Sequence, residues 1–260
     1  MTARADALAA LITGASSGLG AEFARQFAEQ GHHLILVARD AGRLSAAASA
    51  LERDYGVTVE VLPADLTDDG GVAAVVERLS DASRPVDVLV NNAGIGLLHP
   101  FEKNSIEEEK LHLRLHVQTT MELCHAALQL MLERGSGRII NVASVAAFAT
   151  RGTYSAAKSW ELSFSRWANL AYGPSGVKIT ALCPGFTHTE FHERMGLDKT
   201  AMPRWMWLDA RRVVRDGLAD NERGKGVSIP SLRYKAVVTA TRFLPARFTG
   251  GPPRRPLAGN

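Results

Sequence analysis

The sequence predicts an α/β fold, with one domain built on a doubly wound parallel sheet of about seven strands and helices on both faces. Two observations support this prediction. Short apolar runs alternate with longer stretches of helical periodicity, which is typical of parallel strands joined by crossover helices. A chain of 260 residues, 46% of them apolar, also suits a single buried core. The strands are expected at ALAALIT, HLILVA, VTVEVL, VDVLV, RIINVA, VKITAL and VSIP.

The first two helices are bounded by glycines. The helical pattern over residues 19–30 is followed by Gly31, and the pattern over residues 43–55 is followed by Gly56. Glycine is favoured just after a helix because it readily adopts the left-handed backbone conformation that closes the last turn. We therefore expect these two helices to end there.

Two later helices carry signals at their N-termini. Ser105 and Glu108 form a capping-box pattern ahead of a long helix that is expected to run to about Arg134. Asp209 is suited to cap another helix, which ends near Gly224. The VSIP strand follows this helix and completes the predicted sheet.

Charge is unevenly distributed along the chain. The net charge is +3, and residues 223–260 hold eight Lys or Arg and no Asp or Glu. A basic end attracts anions, but no nucleic-acid motif accompanies it, so we expect a solvated tail and no nucleic-acid partner. No apolar stretch approaches the roughly 18 residues of a membrane span, and Cys124 and Cys183 are isolated. These features predict a cytoplasmic protein with reduced cysteines.

A glycine-rich turn follows the first strand. Its glycines form G-x-x-x-G-x-G at the point where the strand ends and the first helix begins. Glycines also occur in ordinary tight turns, but backbone N–H groups and the helix dipole at this position favour a pyrophosphate, as in Rossmann-like folds. The turn therefore predicts a dinucleotide site that includes Gly14, Ser16, Ser17, Gly18, Leu19 and Gly20.

The end of the second strand indicates which dinucleotide binds. Ala38 and Arg39 stand where NAD-selective sites carry an acidic residue for the ribose 2′-hydroxyl. An arginine there accommodates the 2′-phosphate of NADP, so we predict NADP(H). The alternative is a surface arginine that pairs with Asp40, and residue 17 is a serine that adds no second basic group.

Tyr154 and Lys158 lie four residues apart in YSAAK, and Ser144 precedes Tyr154 by ten residues. Positions i and i+4 share one face of a helix, so the Lys158 ammonium is expected near the Tyr154 phenol. A free phenol has a pKa of about 10, which nearby positive charge would lower. The pattern predicts acid–base assistance to hydride transfer at a carbonyl or alcohol carbon. Taken singly, a loop serine and an exposed lysine at a helix start are equally good explanations.

Five motifs, in order and spacing, resemble the short-chain dehydrogenase/reductase family: TGASSGLG, NNAG at 91–94, Ser144, YSAAK and PG at 184–185. The resemblance covers residues 8 to about 230. It implies that Tyr154 is the general acid or base, that Ser144 orients the substrate oxygen, and that Lys158 anchors a ribose and lowers the pKa of Tyr154. It also implies a homodimer or homotetramer formed through the long helices.

The same resemblance implies further contacts along the cofactor. Two residues after the third strand border the adenine, the NNAG segment runs past the cofactor, and the segment after PG meets the carboxamide end. These implied contacts are Asp65, Leu66, Asn92, Ala93, Gly94, Pro184, Gly185, Thr187 and Thr189.

Two features depart from the family pattern. Where the family places an asparagine that bends the long helix and holds a water leading toward the lysine, this chain has His116 in LRLHVQ. A neutral imidazole would hold the same water and add a pH dependence to the reaction. A packed core histidine would do neither. Both interpretations stay open, and His116 is kept as a candidate catalytic residue. The loop between Ser144 and Tyr154 is also shorter than is common in the family, which affects the shape of the substrate cleft.

A predicted substrate lid spans about residues 186–208. Its methionines and aromatic residues suit a pocket for apolar ligands of variable shape, although the same residues would equally pack on the body or on another subunit. The apolar lid residues are Phe186, Phe191, Met195, Leu197, Met202, Trp205, Met206 and Trp207.

Residues 1–230 are predicted to form the dinucleotide-binding and catalytic domain, and residues 231–260 a basic C-terminal extension. Apolar residues recur at helical spacing in this extension beside basic ones, a pattern that fits a membrane surface. The alternatives are that this extension docks to a partner or that it simply extends the fold. The residues at helical spacing are Tyr234, Val237, Val238, Thr241 and Leu244, and the basic ones are Arg233, Lys235, Arg242 and Arg247.

Taken together, these patterns predict an NADP(H)-dependent oxidoreductase that interconverts a ketone and a secondary alcohol. The apolar residues of the predicted lid favour an apolar substrate such as an acyl chain or a steroid-like molecule. The alternative is a non-catalytic NADP(H)-binding scaffold or regulatory protein, with His116 and the short loop as marks of a decayed site. No metal site is predicted.

Overall fold

The computed structural model describes residues 7–189 and 203–241. Within these residues, seven strands form one parallel sheet in the order β3-β2-β1-β4-β5-β6-β7. The chain runs outward from β1 in one direction and returns to start again at β4, so the switch point lies between these two strands. The predicted fold class is confirmed. The strands are β1 (Ala9–Thr13), β2 (His33–Ala38), β3 (Val59–Pro63), β4 (Val88–Asn91), β5 (Gly137–Val142), β6 (Val177–Leu182) and β7 (Val227–Ser228).

Helices follow the strands as predicted. Gly31 and Gly56 have φ of 79° and 68°, the left-handed conformation expected just beyond a helix end. The helices of the described chain are α1 (Gly18–Glu29), α2 (Ala41–Tyr55), α3 (Asp69–Leu79), α4 (Ile106–Leu113), α5 (Thr120–Arg134), α6 (Gly152–Tyr172), α7 (Ala210–Glu222) and α8 (Leu232–Thr241).

The predicted N-terminal caps of α4 and α7 are confirmed. The Ser105 hydroxyl accepts from the Glu108 N–H at 3.2 Å, and the Glu108 carboxylate accepts from the Ser105 N–H at 2.7 Å. The Asp209 carboxylate accepts from the Arg212 N–H at 2.9 Å. Each side chain satisfies a backbone donor that the first helical turn leaves without an intrahelical partner.

The predicted long helix up to Arg134 is not regular throughout. A π-helical segment, Arg114–Thr119, joins α4 to α5. A π turn takes one extra residue, so it changes the direction in which the following side chains point. His116 lies in this segment and its side chain is buried.

Two apolar layers cover the sheet, because successive residues of each strand point to opposite faces. Leu11 of β1 packs with residues of α3, α5 and α6 on one face, and its neighbour Ile12 packs with residues of α1, α2 and α7 on the other. The helices therefore lie on both faces of the sheet, as predicted. The helices cover the two faces of the sheet, so a binding site can form along the edge where the strands have their carboxyl ends.

The start of the predicted C-terminal extension is packed against the rest of the fold. In α8, Tyr234 and Val238 are buried, and the Tyr234 hydroxyl donates to the Met206 carbonyl at 2.8 Å and accepts from the Phe186 N–H at 3.1 Å. Two of the apolar residues expected to face a membrane are thus used inside the fold. Residues 242–260, with Leu244, Arg242 and Arg247, lie outside the described residues. In the part of the chain that is described, no helix combines the length and apolar character needed to span a membrane.

Candidate active site

A cleft of about 560 Å³ lies at the carboxyl ends of the strands, around the switch point. Its volume falls in the range of about 300–1,000 Å³ that is usual for small-molecule sites. Nearly all of the predicted site residues line it, from the glycine turn to the segment after β6. These residues are Gly14, Ser16, Ser17, Gly18, Leu19, Arg39, Asp65, Leu66, Asn92, Ala93, Gly94, His116, Ser144, Tyr154, Lys158, Pro184, Gly185, Thr187 and Thr189.

Gly20 is the predicted cofactor residue that does not line the cleft. A Cβ atom on Gly20 would lie 2.2 Å from the Gly14 carbonyl oxygen and 2.6 Å from the Asn92 side-chain nitrogen. The missing side chain therefore lets α1 pack closely on the end of β1, and the contact of Gly20 with the cofactor stays a prediction. Gly14 and Gly18, by contrast, line the cleft with left-handed φ values of 65° and 57°.

The glycine turn is tied to the end of β4 by hydrogen bonds. The Thr13 hydroxyl accepts from the N–H groups of Asn92 and Ala93 at 2.9 and 3.0 Å. The Asn92 side chain donates to the Thr13 carbonyl at 2.9 Å. These bonds hold the NNAG segment beside the N-terminus of α1, where free backbone N–H groups favour an anion. The shape and donors of this end of the cleft fit a dinucleotide pyrophosphate.

Two arginines line the end of the cleft beyond β2. Arg39 forms a loose ion pair with Asp65 at 4.0 Å, rather than with Asp40 as in the alternative interpretation. Asp40 instead caps α2 by accepting from the Arg43 N–H at 2.9 Å. Arg43 is a cleft residue that the sequence analysis missed, although its position four residues after Arg39 was a usable signal.

Ser144, Tyr154 and Lys158 come together at the other end of the cleft. Ser144 follows β5, and the other two lie in the first turns of α6. The Ser144 hydroxyl accepts from the Ala146 N–H at 3.1 Å, and its proximity to the Tyr154 phenol acts to lower the pKa of that phenol. The Lys158 ammonium nitrogen lies 5.9 Å from the centre of the Tyr154 ring. The predicted i, i+4 neighbourhood is therefore found.

Glu161 is the main site residue that the sequence analysis missed. It lies one turn beyond Lys158 on α6, and its two carboxylate oxygens accept from the Lys158 ammonium at 2.9 and 3.0 Å. The Val142 carbonyl accepts the third bond at 2.7 Å. Lys158 and Glu161 are only 4% and 3% exposed. A charged residue three positions from a lysine was the available signal, but that spacing is equally common on helix surfaces.

The net pKa of Tyr154 is raised, although the Lys158 charge lowers it in the predicted direction. Burial of the phenol is the largest cause, and the Glu161 charge also raises it. The Lys158 charge and the Ser144 hydrogen bond act in the opposite direction but do not outweigh them. Because Glu161 pairs with Lys158, much of the positive field that the phenol needs is cancelled.

His116 contacts both the cleft and the buried ion pair. Its Nε2 atom lies 2.8 Å from the Ile95 carbonyl oxygen and 3.2 Å from the Ile95 nitrogen. Its Nδ1 atom lies 3.5 Å from a Glu161 oxygen, and its ring meets the Tyr154 ring edge-on. Burial, followed by the Lys158 charge, lowers the pKa of His116. The residue is thus buried like a core histidine and also lies in the candidate site.

Gly94 makes room for this histidine. A Cβ atom on Gly94 would lie 2.7 Å from the Cε1 atom of His116. The NNAG glycine is therefore needed for the close approach of the π-helical segment to the end of β4.

The described ends of the predicted lid segment are held together beside the cleft. Thr187 pairs with Leu208, and the Trp207 ring stacks on His188 at 4.9 Å and contacts Phe186 at 5.8 Å. The cleft lining includes none of the four described apolar lid residues, Phe186, Trp205, Met206 and Trp207. The other four, Phe191, Met195, Leu197 and Met202, lie outside the described residues.

Comparisons with known proteins agree with the fold. A sequence model of the family described as short chain dehydrogenase matches residues 8–200. The chain therefore belongs to the short-chain dehydrogenase/reductase family of oxidoreductases. Its similarity extends over most of its length in both curated relatives and solved structures.

Three of these similar proteins illustrate the range. A short-chain dehydrogenase from Sphingobium yanoikuyae, solved in complex with NADPH, is 37% identical to this chain and superposes with a TM-score of 0.83. The match covers 91% of this chain and 94% of that chain. The bulky-bulky ketone specific alcohol dehydrogenase from Comamonas testosteroni is 32% identical with a TM-score of 0.78, covering 91% and 92%. The ketoacyl reductase HetN from Nostoc sp. is 34% identical over 179 residues, which are 68% of this chain and 62% of the relative.

Proposed function

We propose that this protein is an NADP(H)-dependent oxidoreductase that interconverts a ketone and a secondary alcohol. One observation carries the proposal: Ser144, Tyr154 and Lys158 line the same cleft as the glycine turn. A proton donor, a hydrogen-bonding hydroxyl and a cation thus stand in one cleft with a dinucleotide cradle. This combination is what reduction of a carbonyl requires.

A bound nicotinamide would supply or accept the hydride, and the residues of the chain would handle the proton. In the reducing direction, the Tyr154 phenol donates its proton to the substrate oxygen. The Ser144 hydroxyl donates a second hydrogen bond to the same oxygen, so the charge that develops there meets two donors. The Lys158 charge favours the phenolate that Tyr154 leaves behind.

The NADP(H) preference is proposed from the two arginines at the adenosine end. Arg39 and Arg43 both line the cleft, and guanidinium groups bind phosphate strongly and with defined geometry. The Sphingobium yanoikuyae structure, which is 37% identical to this chain, contains NADPH. Both observations favour a 2′-phosphate over a 2′-hydroxyl.

An apolar ketone is the proposed substrate, with an acyl-chain or steroid-like body. Two similar proteins are named for a ketoacyl and for a bulky-bulky ketone substrate. Aromatic rings at the described ends of the lid, Trp205 among them, add apolar surface near the cleft. Small polar ketones are the alternative that the substrate test below separates.

We further propose a homodimer or homotetramer. Along one face of α6, Trp160 stacks on Phe164 at 5.1 Å, and Phe164 contacts Trp167 at 5.9 Å. Trp167 and Leu170 on this helix are 55% and 79% exposed. Large apolar side chains that cluster on an exposed helix face favour contact with a second copy of the chain.

The proposed location is the cytoplasm. Cys124 and Cys183 are both free and buried, as thiols in a reducing compartment are. We do not extend the proposal to a membrane surface, because Tyr234 and Val238 of the predicted amphipathic helix pack inside the fold.

The Tyr154→Phe variant tests the catalytic assignment. It removes the proton donor, so we expect turnover to fall by about 10²–10⁴-fold while NADPH affinity is kept. The assay follows NADPH absorbance with ketones that range from small diketones to long-chain 3-oxo esters and steroid ketones. Tyr172→Phe, on the same helix but outside the cleft, is the matched control.

Activity above a few per cent of the wild-type value in Tyr154→Phe would remove Tyr154 as the acid. A wild-type protein that binds NADPH tightly but reduces no ketone would favour the scaffold alternative.

The cofactor preference is tested at the two arginines. Arg39→Asp and Arg43→Ala should each weaken NADPH binding by about 10–100-fold, as expected for the loss of a charge-assisted hydrogen bond, with little effect on NADH. Dissociation constants for both nucleotides give the ratio directly. Arg53→Ala, an exposed arginine later in α2, is the control. An unchanged NADPH/NADH ratio in both variants would refute the 2′-phosphate assignment.

Self-association is tested on the exposed face of α6. The double variant Trp167→Ser, Leu170→Ser should sediment as a smaller species than the wild type, because it removes the central apolar contact area. Val237→Ser on α8 also replaces an exposed apolar residue and should leave the sedimentation coefficient unchanged. A monomeric wild type, or a double variant that keeps its full size, would contradict the proposed interface.

A further inference from the structure

The Lys158 ammonium uses all three of its hydrogens inside the protein. It donates one bond to the Val142 carbonyl and two to the Glu161 carboxylate. An ammonium has three N–H donors and no more. A ligand hydroxyl in the cleft can therefore bind to Lys158 only if one of these bonds is released.

Glu161 has a second basic neighbour that can replace Lys158. One of its oxygens lies 3.5 Å from the Nδ1 atom of His116, a distance that a small side-chain movement would shorten to a hydrogen bond. The other ring nitrogen lies 2.8 Å from the Ile95 carbonyl oxygen. The Ile95 N–H donates to that second nitrogen at 3.2 Å when the nitrogen carries no proton. Each ring nitrogen also has one oxygen acceptor nearby, the Glu161 carboxylate for Nδ1 and the Ile95 carbonyl for Nε2. A neutral imidazole can donate to one of them, and a protonated imidazolium can donate to both.

The other titratable groups around this cluster keep their protonation states near neutrality. Burial, followed by the His116 and Lys158 charges, lowers the pKa of His112 to about 3, so this neighbour stays neutral. Burial raises the pKa of Cys124 and of Cys183 to about 12, and it also raises the pKa of Tyr154. The partner exchange therefore involves Lys158, Glu161 and His116.

We propose that Glu161 is a positioning residue that exchanges partners when a dinucleotide binds: it releases Lys158 to the nucleotide and pairs with a protonated His116. The inference rests on the proposed function, since it assumes that Lys158 contacts the bound nucleotide. The proton comes from solvent and forms a new N–H bond on the His116 ring. The negative charge of Glu161 is then matched by His116, and the charge of Lys158 acts on Tyr154 without being cancelled.

The direction of the proton movement follows from the charges. Burial and the nearby Lys158 ammonium keep the pKa of His116 below its ordinary value, so the ring is neutral near pH 7. When Lys158 turns away and Glu161 approaches the ring, the pKa of His116 rises. Binding must then be accompanied by net proton uptake, and this uptake should grow as the pH falls from about 8 toward the raised pKa.

Calorimetry of NADPH binding, repeated in buffers of different ionisation enthalpy near neutral pH, measures this uptake without any turnover. The wild type should take up a fraction of a proton for each NADPH bound. Glu161→Gln and His116→Asn should both lose this uptake and still bind NADPH, since one removes the charge that raises the pKa and the other removes the titrating ring. Glu133→Gln and His125→Asn, at exposed positions on α5, are matched controls that should keep the wild-type value.

Differences between variants isolate the cluster, because protonation of the nucleotide 2′-phosphate is common to all of them. Should Glu161→Gln fail to fold, His116→Asn carries the test alone. An equal net proton uptake by the wild type and by His116→Asn would overturn the partner exchange and leave the proposed function intact. A wild type that does not bind NADPH would instead overturn the proposed function.

Discussion

The buried ion pair between Lys158 and Glu161 is the interaction on which the candidate site depends. Both side chains are almost fully removed from solvent, and either charge without its partner would carry a desolvation cost of several kcal/mol. The pair holds the ammonium against the Val142 carbonyl, which fixes the start of α6 relative to the end of β5. Tyr154 lies on α6 and Ser144 follows β5 by two residues, so the same pair helps to set where the phenol lies in the cleft.

The fold brings this pair to the dinucleotide cradle through a few close contacts. Thr13 and Asn92 join the glycine turn to the end of β4, and Gly94 lets the π-helical segment approach with His116. His116 then stands between the Ile95 backbone and Glu161. The π-helical segment, Gly94 and the Glu161 carboxylate are thus linked through contacts with His116, whose ring also meets the Tyr154 ring.

Local patterns in the sequence were enough to predict the sheet, the helix ends and most of the cleft. Gly56 and Ser105 act on their own helices, and Tyr154 and Lys158 are neighbours by helical spacing alone. The role of Glu161 was not predictable, because an acidic residue three positions from a lysine is usual on exposed helix faces. Its burial depends on distant parts of the chain, among them the π-helical segment that brings His116 to 3.5 Å from it. Tyr234 is similar, since its place against Gly185 depends on how a distant helix returns to the site.

The central claim is that a bound nucleotide moves Glu161 from Lys158 to a protonated His116, and the ionisation of that imidazole is the most direct test. The chain has eight histidines, so protein carrying ¹³C at the histidine Cε1 position gives few NMR signals, and His116→Asn assigns the relevant one. NADPH is the suitable ligand because its reduced nicotinamide ring adds no positive charge. We expect the His116 signal to titrate at higher pH with saturating NADPH than without it. Titration at the same or a lower pH would contradict the claim.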